Sequence, residues 1–316
     1  MRRLTPILAL GAVLVLAACA RPSGPQAVHQ SHTFPAAAGK LIRLDVRSLD
    51  VHVKVAEGSV ISVTVDLQAR SSSRSATKRW IERNTPVFDD SESVLEVRLP
   101  AATHRGLVIF GFMHTEGRLD LVVPPSCRLD VKTSSGDVSI GGEGVLSGPV
   151  RVGTSSGDVI VSGGVRELIA DTSSGDVRVT GAALTLLEAD TSSGDVTLQS
   201  GSEKVIVDTT SGDARLEKLT GDLSADTSSG DVSGSWERLA AGGKIRVHTS
   251  SGDVRLRLPE GTPLGGEVNT TGGHIRSDFP ASREKRGRMM SFEAPGDSVG
   301  LEVRTSSGDV SLRTRS

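Results

Sequence analysis

From about Lys40 to the end of the chain, apolar and polar residues alternate in short runs set either side of small polar corners. Leu187-Glu188-Ala189-Asp190-Thr191 runs into Ser-Ser-Gly-Asp, and Val196-Thr197-Leu198-Gln199 follows it. Period-two alternation predicts a strand with one buried face. The same frame recurs as Val205, Val207 and Thr209 before Ala214 and Leu216, and as Ile245, Val247 and Thr249 before Val254, Leu256 and Leu258. Each unit therefore reads as strand, corner, strand and a short return rich in Gly and Ala. No helix-length segment separates successive corners, which excludes βαβ units.

The corners are repeats. Thr-Ser-Ser-Gly-Asp-Val occurs unchanged from Thr133, Thr154, Thr172, Thr191, Thr227, Thr249 and Thr305, with variants at Thr209-Thr210-Ser211-Gly212-Asp213-Ala214 and Thr270-Thr271-Gly272-Gly273-His274-Ile275. Their glycines step by 21, 18, 19, 18, 18, 22, 21 and 35 residues. Steps near 20 with one near double predict stacked coils and a single insertion. The expected fold is all-β: a β-solenoid, parallel and right-handed by the general crossover rule, of about nine coils of 18–22 residues. At about 4.8 Å per coil the rod would be roughly 40 Å long. Its interior would be ladders of Val, Leu, Ala and Thr. At the corner, Gly is expected to supply backbone freedom and Asp to bond nearby amides.

The predicted organisation is residues 1–18 as an export signal, 19–39 as a tether, 40–125 as an irregular β-rich N-terminal cap, and 126–316 as the repeats. Within the cap, Asp50 to Val55 follows Leu41 to Arg47 with Ser48-Leu49-Asp50 standing in for Ser-Gly-Asp. Further strands are expected at 60–67, 94–99 and 118–123. Ser75 to Asn84 reads as a short helix whose Trp80 and Ile81 cover the open end, since an exposed sheet edge invites aggregation. Phe279 to Pro295, with its basic stretch Arg283 to Arg288, reads as a solvated loop before a last coil that closes at Leu312.

Composition changes this picture in two places. The chain has 36 Gly, no Tyr, six Phe and two Trp in 316 residues. Gly is about 11% against a usual 7%, which suits a narrow solenoid with little room for rings. With 36 basic and 38 acidic residues there is no electrostatic footprint for nucleic acid, and no such partner is expected. The N-terminus carries Arg2 and Arg3 before an apolar run, Ile7 to Ala18, too short to cross about 30 Å of hydrocarbon comfortably. It ends in Leu16-Ala17-Ala18-Cys19, which resembles a bacterial lipobox. That resemblance implies cleavage before Cys19, diacylation of its thiol and N-acylation, as by palmitate, with several chains giving stable anchorage. Ala20 in place of Asp implies onward transfer to an outer membrane. Cys127 is then the remaining thiol, with no disulfide partner.

The hexapeptide coils, the opening Leu44-Asp45-Val46-Arg47-Ser48-Leu49-Asp50-Val51-His52-Val53 and the Val123-Pro124-Pro125 element together resemble a bacterial family of β-strand-repeat domains of unknown function, often labelled adhesins. The resemblance covers about Lys40 to Arg313. It implies a β-solenoid in the cell envelope and carries no catalytic residues to transfer.

The corner aspartates Asp137, Asp158, Asp176, Asp195, Asp213, Asp231, Asp253 and Asp309 are expected to form one row. A second row, Asp171, Asp190, Asp208 and Asp226, should lie on the outward face before the threonines. Like charges about 4.8 Å apart repel, so both rows require hydroxyls, amides or cations. A Ca²⁺ ladder along the corners is one solution; each Asp satisfying its own corner amides is the preferred one, leaving no metal and no cofactor. Gly296-Asp297-Ser298-Val299-Gly300 superficially matches a serine nucleophile motif but lacks a recognisable base, and reads as a turn. The seven histidines show no ligand-spaced pair and read as solvated. The apolar stretch Leu107 to Met113 is either core beside the cap or a docking patch, with Phe110, Phe112 and Met113 as its contacts. Two function classes remain. One is a non-enzymatic, lipid-anchored module presenting a rigid rod to an envelope protein or glycan; the other is a β-helix protein that binds or cleaves polysaccharide. Scarce rings and the absence of a break in the repeats favour the first.

Overall fold

The structure is a computed structural model that describes residues 26–71, 73–100, 114–181, 183–284, 287–293 and 296–315. Cys19 and the stretch 107–113, including Phe110, Phe112 and Met113, lie outside the described residues.

The alternating runs form two long sheets facing one another, of 13 and 14 strands among the described residues. Each hexapeptide carries the chain from one sheet to the other. Leu184–Thr191, for example, lies in the larger sheet and Val196–Leu198 in the smaller. Successive units pair in parallel and in register, so identical positions stack: Val159 on Val177, Val177 on Val196, Val196 on Ala214. The chain is a parallel β-solenoid. Its interior is one continuous cluster from Ile42 to Leu312, dominated by Val and Leu. Fully burying such a side chain is worth about 1.5–3 kcal/mol, and the stacking repeats that gain with every coil.

The spatial order of the coils differs from their order in the chain at both ends. Near the N-terminus, Val94–Arg98 and the far half of His114–Val123 pair on the outer side of Leu41–Arg47 and Asp50–Val55, which themselves pair with Arg128–Thr133 and Val138–Gly142. Near the C-terminus, Val299–Thr305 and Val310–Arg315 insert between the coil of Lys244–Thr249 and Val254–Pro259 and the coil of Leu264–Thr270 and Ile275–Ser277. The step of 35 residues is therefore an excursion outward and back, rather than an insertion within a linear stack. The excursion is also not a plain loop. Met289–Phe292 pairs antiparallel with both Ser282–Glu284 and Leu264–Thr270, and Phe279, Met290 and Phe292 are buried.

Two further expectations change, and one holds. Residues 26–35 belong to the sheet: Gln26–Pro35 is a ten-residue strand antiparallel to Val60–Arg70. Its polar residues hid the alternation because the strand sits at a sheet edge, where its inner face is only half buried. The helix spans Arg74–Asn84, with Ser73 accepting the Ala76 N–H as its N-cap, and Trp80 and Ile81 pack against the core as expected. The corner glycines do not sit at positive φ. A Cβ at Gly194 would stand 1.9 Å from the carbonyl oxygen of Gly175 in the preceding coil, and Gly157, Gly175, Gly212, Gly230 and Gly252 repeat that contact. Gly is required by close approach of stacked backbones rather than by a special turn conformation.

Trp236, the one Phe or Trp between Thr133 and His274, is fully buried and donates its Nε1–H to the Gly221 carbonyl at 2.8 Å. Its ring lies beside Gly234, where the ladder lacks a side chain.

Candidate functional site

Each corner is closed from within and tied to its neighbour. The buried Thr accepts the N–H of its own Gly, as in Thr191 Oγ1 from Gly194 at 3.0 Å. The second Ser donates its backbone N–H to the first Ser of the preceding corner, as in Ser174 to Ser155 at 3.0 Å. The Asp then links corners rather than capping its own. Asp137 donates its backbone N–H to Asp50 Oδ1 at 3.0 Å, and the pattern continues through Asp158, Asp176, Asp195, Asp213, Asp231, Asp253 and Asp309 at 2.8–2.9 Å. It ends when His274 donates to Asp309 at 2.8 Å. Asp50 thus starts the ladder as the Ser-Leu-Asp variant suggested, and His274 stands at the far end, where no further corner needs an acceptor.

The second carboxylate oxygen is engaged by a feature that sequence reasoning missed. Two residues after the corner Asp, the outward position alternates Arg with Thr or Ser: Arg178, Thr197, Arg215, Ser233, Arg255, Ser311 and Arg276 stand side by side. Arg215 reaches Asp213 Oδ2 at 2.8 Å and Asp195 Oδ2 at 3.5 Å. Arg255 reaches Asp231 Oδ2 at 2.8 Å and Asp253 Oδ2 at 2.6 Å. One guanidinium therefore serves two corners. Burial pushes the Asp231 carboxyl up, but the Arg255 hydrogen bond and the Asp253 amide outweigh it and hold the group below its ordinary range. Among the described residues no group of three or more His, Cys, Asp or Glu is arranged to hold a metal ion.

The second row is different. Asp171, Asp190, Asp208 and Asp226 stack in register on the outer face of the larger sheet. Asp226 has His248 Nδ1 at 3.2 Å; among the described residues no basic side chain pairs with Asp171, Asp190 or Asp208. Burial first, then the charges of Asp226, Asp190 and Glu188, raise the Asp208 carboxyl above its ordinary range. A shallow depression of about 350 Å³ runs over this row, lined by Asp190, Asp208, Asp226 and their neighbouring Thr and Ser residues. Beyond it the same line carries mixed charge: Asp45 and Lys132 towards one end, His248 and Arg304 towards the other.

Ser298 lies in a turn, its N–H on the Gly296 carbonyl at 2.8 Å, immediately before Val299–Thr305. The histidines are scattered, but several have partners. His29 meets Asp66 at 2.6 Å, His52 meets Ser139 at 2.8 Å, and His114 meets Glu116 at 3.0 Å. His32 stacks with Phe34 and Phe88, and burial lowers its pKa. Cys127 is buried and free, and burial pushes its thiol up. Among the described residues no helix is long and apolar enough to cross a membrane.

The fold and its corner ladder define the class: a parallel β-solenoid built on Thr-Ser-Ser-Gly-Asp corners. The chain belongs to the Toastrack DUF4097 family, whose pattern matches residues 40–313. Among solved structures it is similar to a putative adhesin from Parabacteroides merdae, at 12% identity over 90% of this chain and 95% of that one, with a TM-score of 0.46. Similar too are a putative adhesin from Parabacteroides distasonis, at 12% identity over 92% and 98% with a TM-score of 0.37, and one from Bacteroides fragilis, at 10% over 91% and 97% with 0.34. No curated protein matches the chain.

Proposed function

We propose that this chain is a non-enzymatic protein of the bacterial cell envelope, exported and held through acylated Cys19, in the outer membrane by the Ala20 signal. There it presents a rigid rod to a partner. The observation that carries the reading is the contrast between the two aspartate rows. Along the corners every carboxylate accepts the amide of the next corner, and Asp176, Asp195, Asp213, Asp231 and Asp253 also meet arginines, so that row serves the fold. Among the described residues Asp171, Asp190 and Asp208 pair with no basic side chain, and partial burial together with the charges of Asp226, Asp190 and Glu188 raises the Asp208 carboxyl. A carboxylate stripe left uncompensated on an otherwise charge-matched rod suits a basic surface, such as a Lys- or Arg-rich envelope protein.

Two measurements test the reading. Metabolic labelling with a palmitate analogue should mark the chain and fail on Cys19→Ala. Photocrosslinking in cells from position 206, beside the stripe, should capture a basic partner that is lost when Asp171, Asp190, Asp208 and Asp226 are all changed to Asn. Capture that is unchanged by those substitutions would remove the stripe from the binding surface. Turnover of an envelope polysaccharide by the purified chain would favour the enzymatic alternative instead.

A further inference from the structure

The two sheets together have four edge strands among the described residues, and three of them are blunted. Ile275–Ser277 and Ser282–Glu284 have three residues each, and Val87–Asp90 has four and ends in two aspartates. Short edges and charged side chains are the usual means by which sheets avoid pairing with other chains. The fourth edge, Gln26–Pro35, has none of these protections. It is ten residues long, carries no Asp, Glu, Lys or Arg, and pairs with Val60–Arg70 through an unbroken antiparallel register from Gln26 opposite Ala69 to Pro35 opposite Val60. Among the described residues its other side faces no strand.

The inner face of this strand is also unfinished. Val28, His32 and Phe34 point between the sheets yet are only half buried, whereas Ile61, Val63, Val65 and Leu67 on the neighbouring strand are completely buried. His32, Phe34 and Phe88 form an aromatic cluster at this end, with Phe34 and Phe88 centroids 5.7 Å apart. The hydrophobic core therefore reaches the rod end with apolar surface still open.

We propose that Gln26–Pro35 is a pairing edge for a second copy of this chain, joined antiparallel across a two-fold axis. Residues directly opposite in an antiparallel pair point to the same face, so the axis must pass through a residue and not between two. With the axis at Ser31, Val28 of one copy faces Phe34 of the other on the inner side, and His29 faces Thr33 on the outer side. No like charges meet anywhere in the pair. The same operation at Val87–Asp90 with the axis at Asp89 or Asp90 would set like aspartates of the two copies directly opposite, which disfavours that edge. The smaller sheets of two rods would become one, and the two half-open cores would cover each other.

The test uses the full chain purified in mild detergent, measured by light scattering after size exclusion. The proposal expects a dimer. Ser31→Lys places two ammonium groups on the axis at an exposed position, and should convert dimer to monomer while the chain still melts cooperatively, at a temperature lowered by no more than the lost association accounts for. Ser31→Cys should form an intermolecular disulfide on mild oxidation, because opposed Cα atoms lie about 4.5–5.5 Å apart, within disulfide reach. Ser93→Cys, also exposed but away from the edge, should not crosslink. A monomer at all concentrations, a dimer indifferent to Ser31→Lys, or equal crosslinking from Ser93→Cys would each overturn the proposal. So would a monomer that binds an unrelated strand peptide at this edge.

Discussion

Asp309 donates its backbone N–H to Asp253 Oδ1 at 2.8 Å, although 56 residues separate them. The opposite end shows the same arrangement, where Asp137 donates to Asp50 across 87 residues. At each end of the rod, a coil distant in the chain is threaded into second place, so the outermost coil is held by a segment it does not adjoin in sequence. A solenoid with terminal coils stacked in order could fray one coil at a time. Here the second-place coil is the keystone of its end.

Removing residues 299–316 should therefore do more than shorten the rod. It deletes Val299, Leu301, Val303, Val310 and Leu312 from the core and leaves both flanking coils without their shared neighbour. At about 1.5–3 kcal/mol for each buried side chain, the loss is comparable with the whole net stability of an ordinary domain. Thermal melting should show a large drop, and limited proteolysis should open residues 264–293 together. Retained protection of that segment would show that its own hairpin holds it.

Gly194→Ala should cost about 3 kcal/mol, at the upper end for overpacking, because its Cβ would meet the Gly175 carbonyl oxygen at 1.9 Å and neither backbone can retreat without disturbing the next coil. Gly58→Ala is the matched control: nothing lies within 4 Å of the added carbon, and its φ is not positive. Chemical denaturation of the two variants should separate them clearly. Equal stabilities would mean that the coils can slide apart at the corner.

Much of this architecture was legible because the repeat is written in both period and motif. Alternation placed the strands, the hexapeptide placed the corners, and Ser48-Leu49-Asp50 was recognisable as the first of them. The spatial order of the end coils was not legible, since residues 299–316 look like one more repeat, and only pairing decides between which strands a repeat inserts. Gln26–Pro35 was missed because an edge strand needs only a half-buried face, and its Gln and His residues broke the apolar pattern. The Arg series at 178, 215 and 255 was present in the sequence at every second corner. Its period is two repeats, so a motif one repeat long does not contain it.

Arg255→Gln should expose the charge along the corner row. In the folded chain the Asp231 carboxyl titrates below its ordinary range, so its stabilisation is full above the unfolded pKa and disappears as pH falls through the folded value. Without Arg255, Asp231 and Asp253 lose their shared counter-charge. The variant should be less stable than the parent by about 0.5 kcal/mol near neutrality, the scale of exposed ion pairs, and the gap should close on acidification. Melting temperatures recorded across the acid range check this. A gap independent of pH would indicate that the arginine acts through packing of its alkyl stem.

Asp208→Asn should show the opposite sign. Asp208 sits in the stripe between Asp190 and Asp226, and its carboxyl is raised by burial and by those neighbours, with Glu188 adding to them. A raised carboxyl favours folding while protonated, so that contribution is complete below the unfolded pKa and is lost as pH rises through the folded one. Near neutrality the charge works against the rod, and Asn, of nearly the same shape, removes it. The variant should melt higher than the parent at neutral pH, and the advantage should vanish in acid. It should also shrink with added salt, which screens the exposed row. Asp130→Asn, which removes the partner of Arg43 at 3.7 Å on the same sheet, should give no such gain. If Asp208→Asn lowers the melting point at neutral pH, the stripe carries a stabilising contact of its own and cannot be the uncompensated surface on which the proposed function rests.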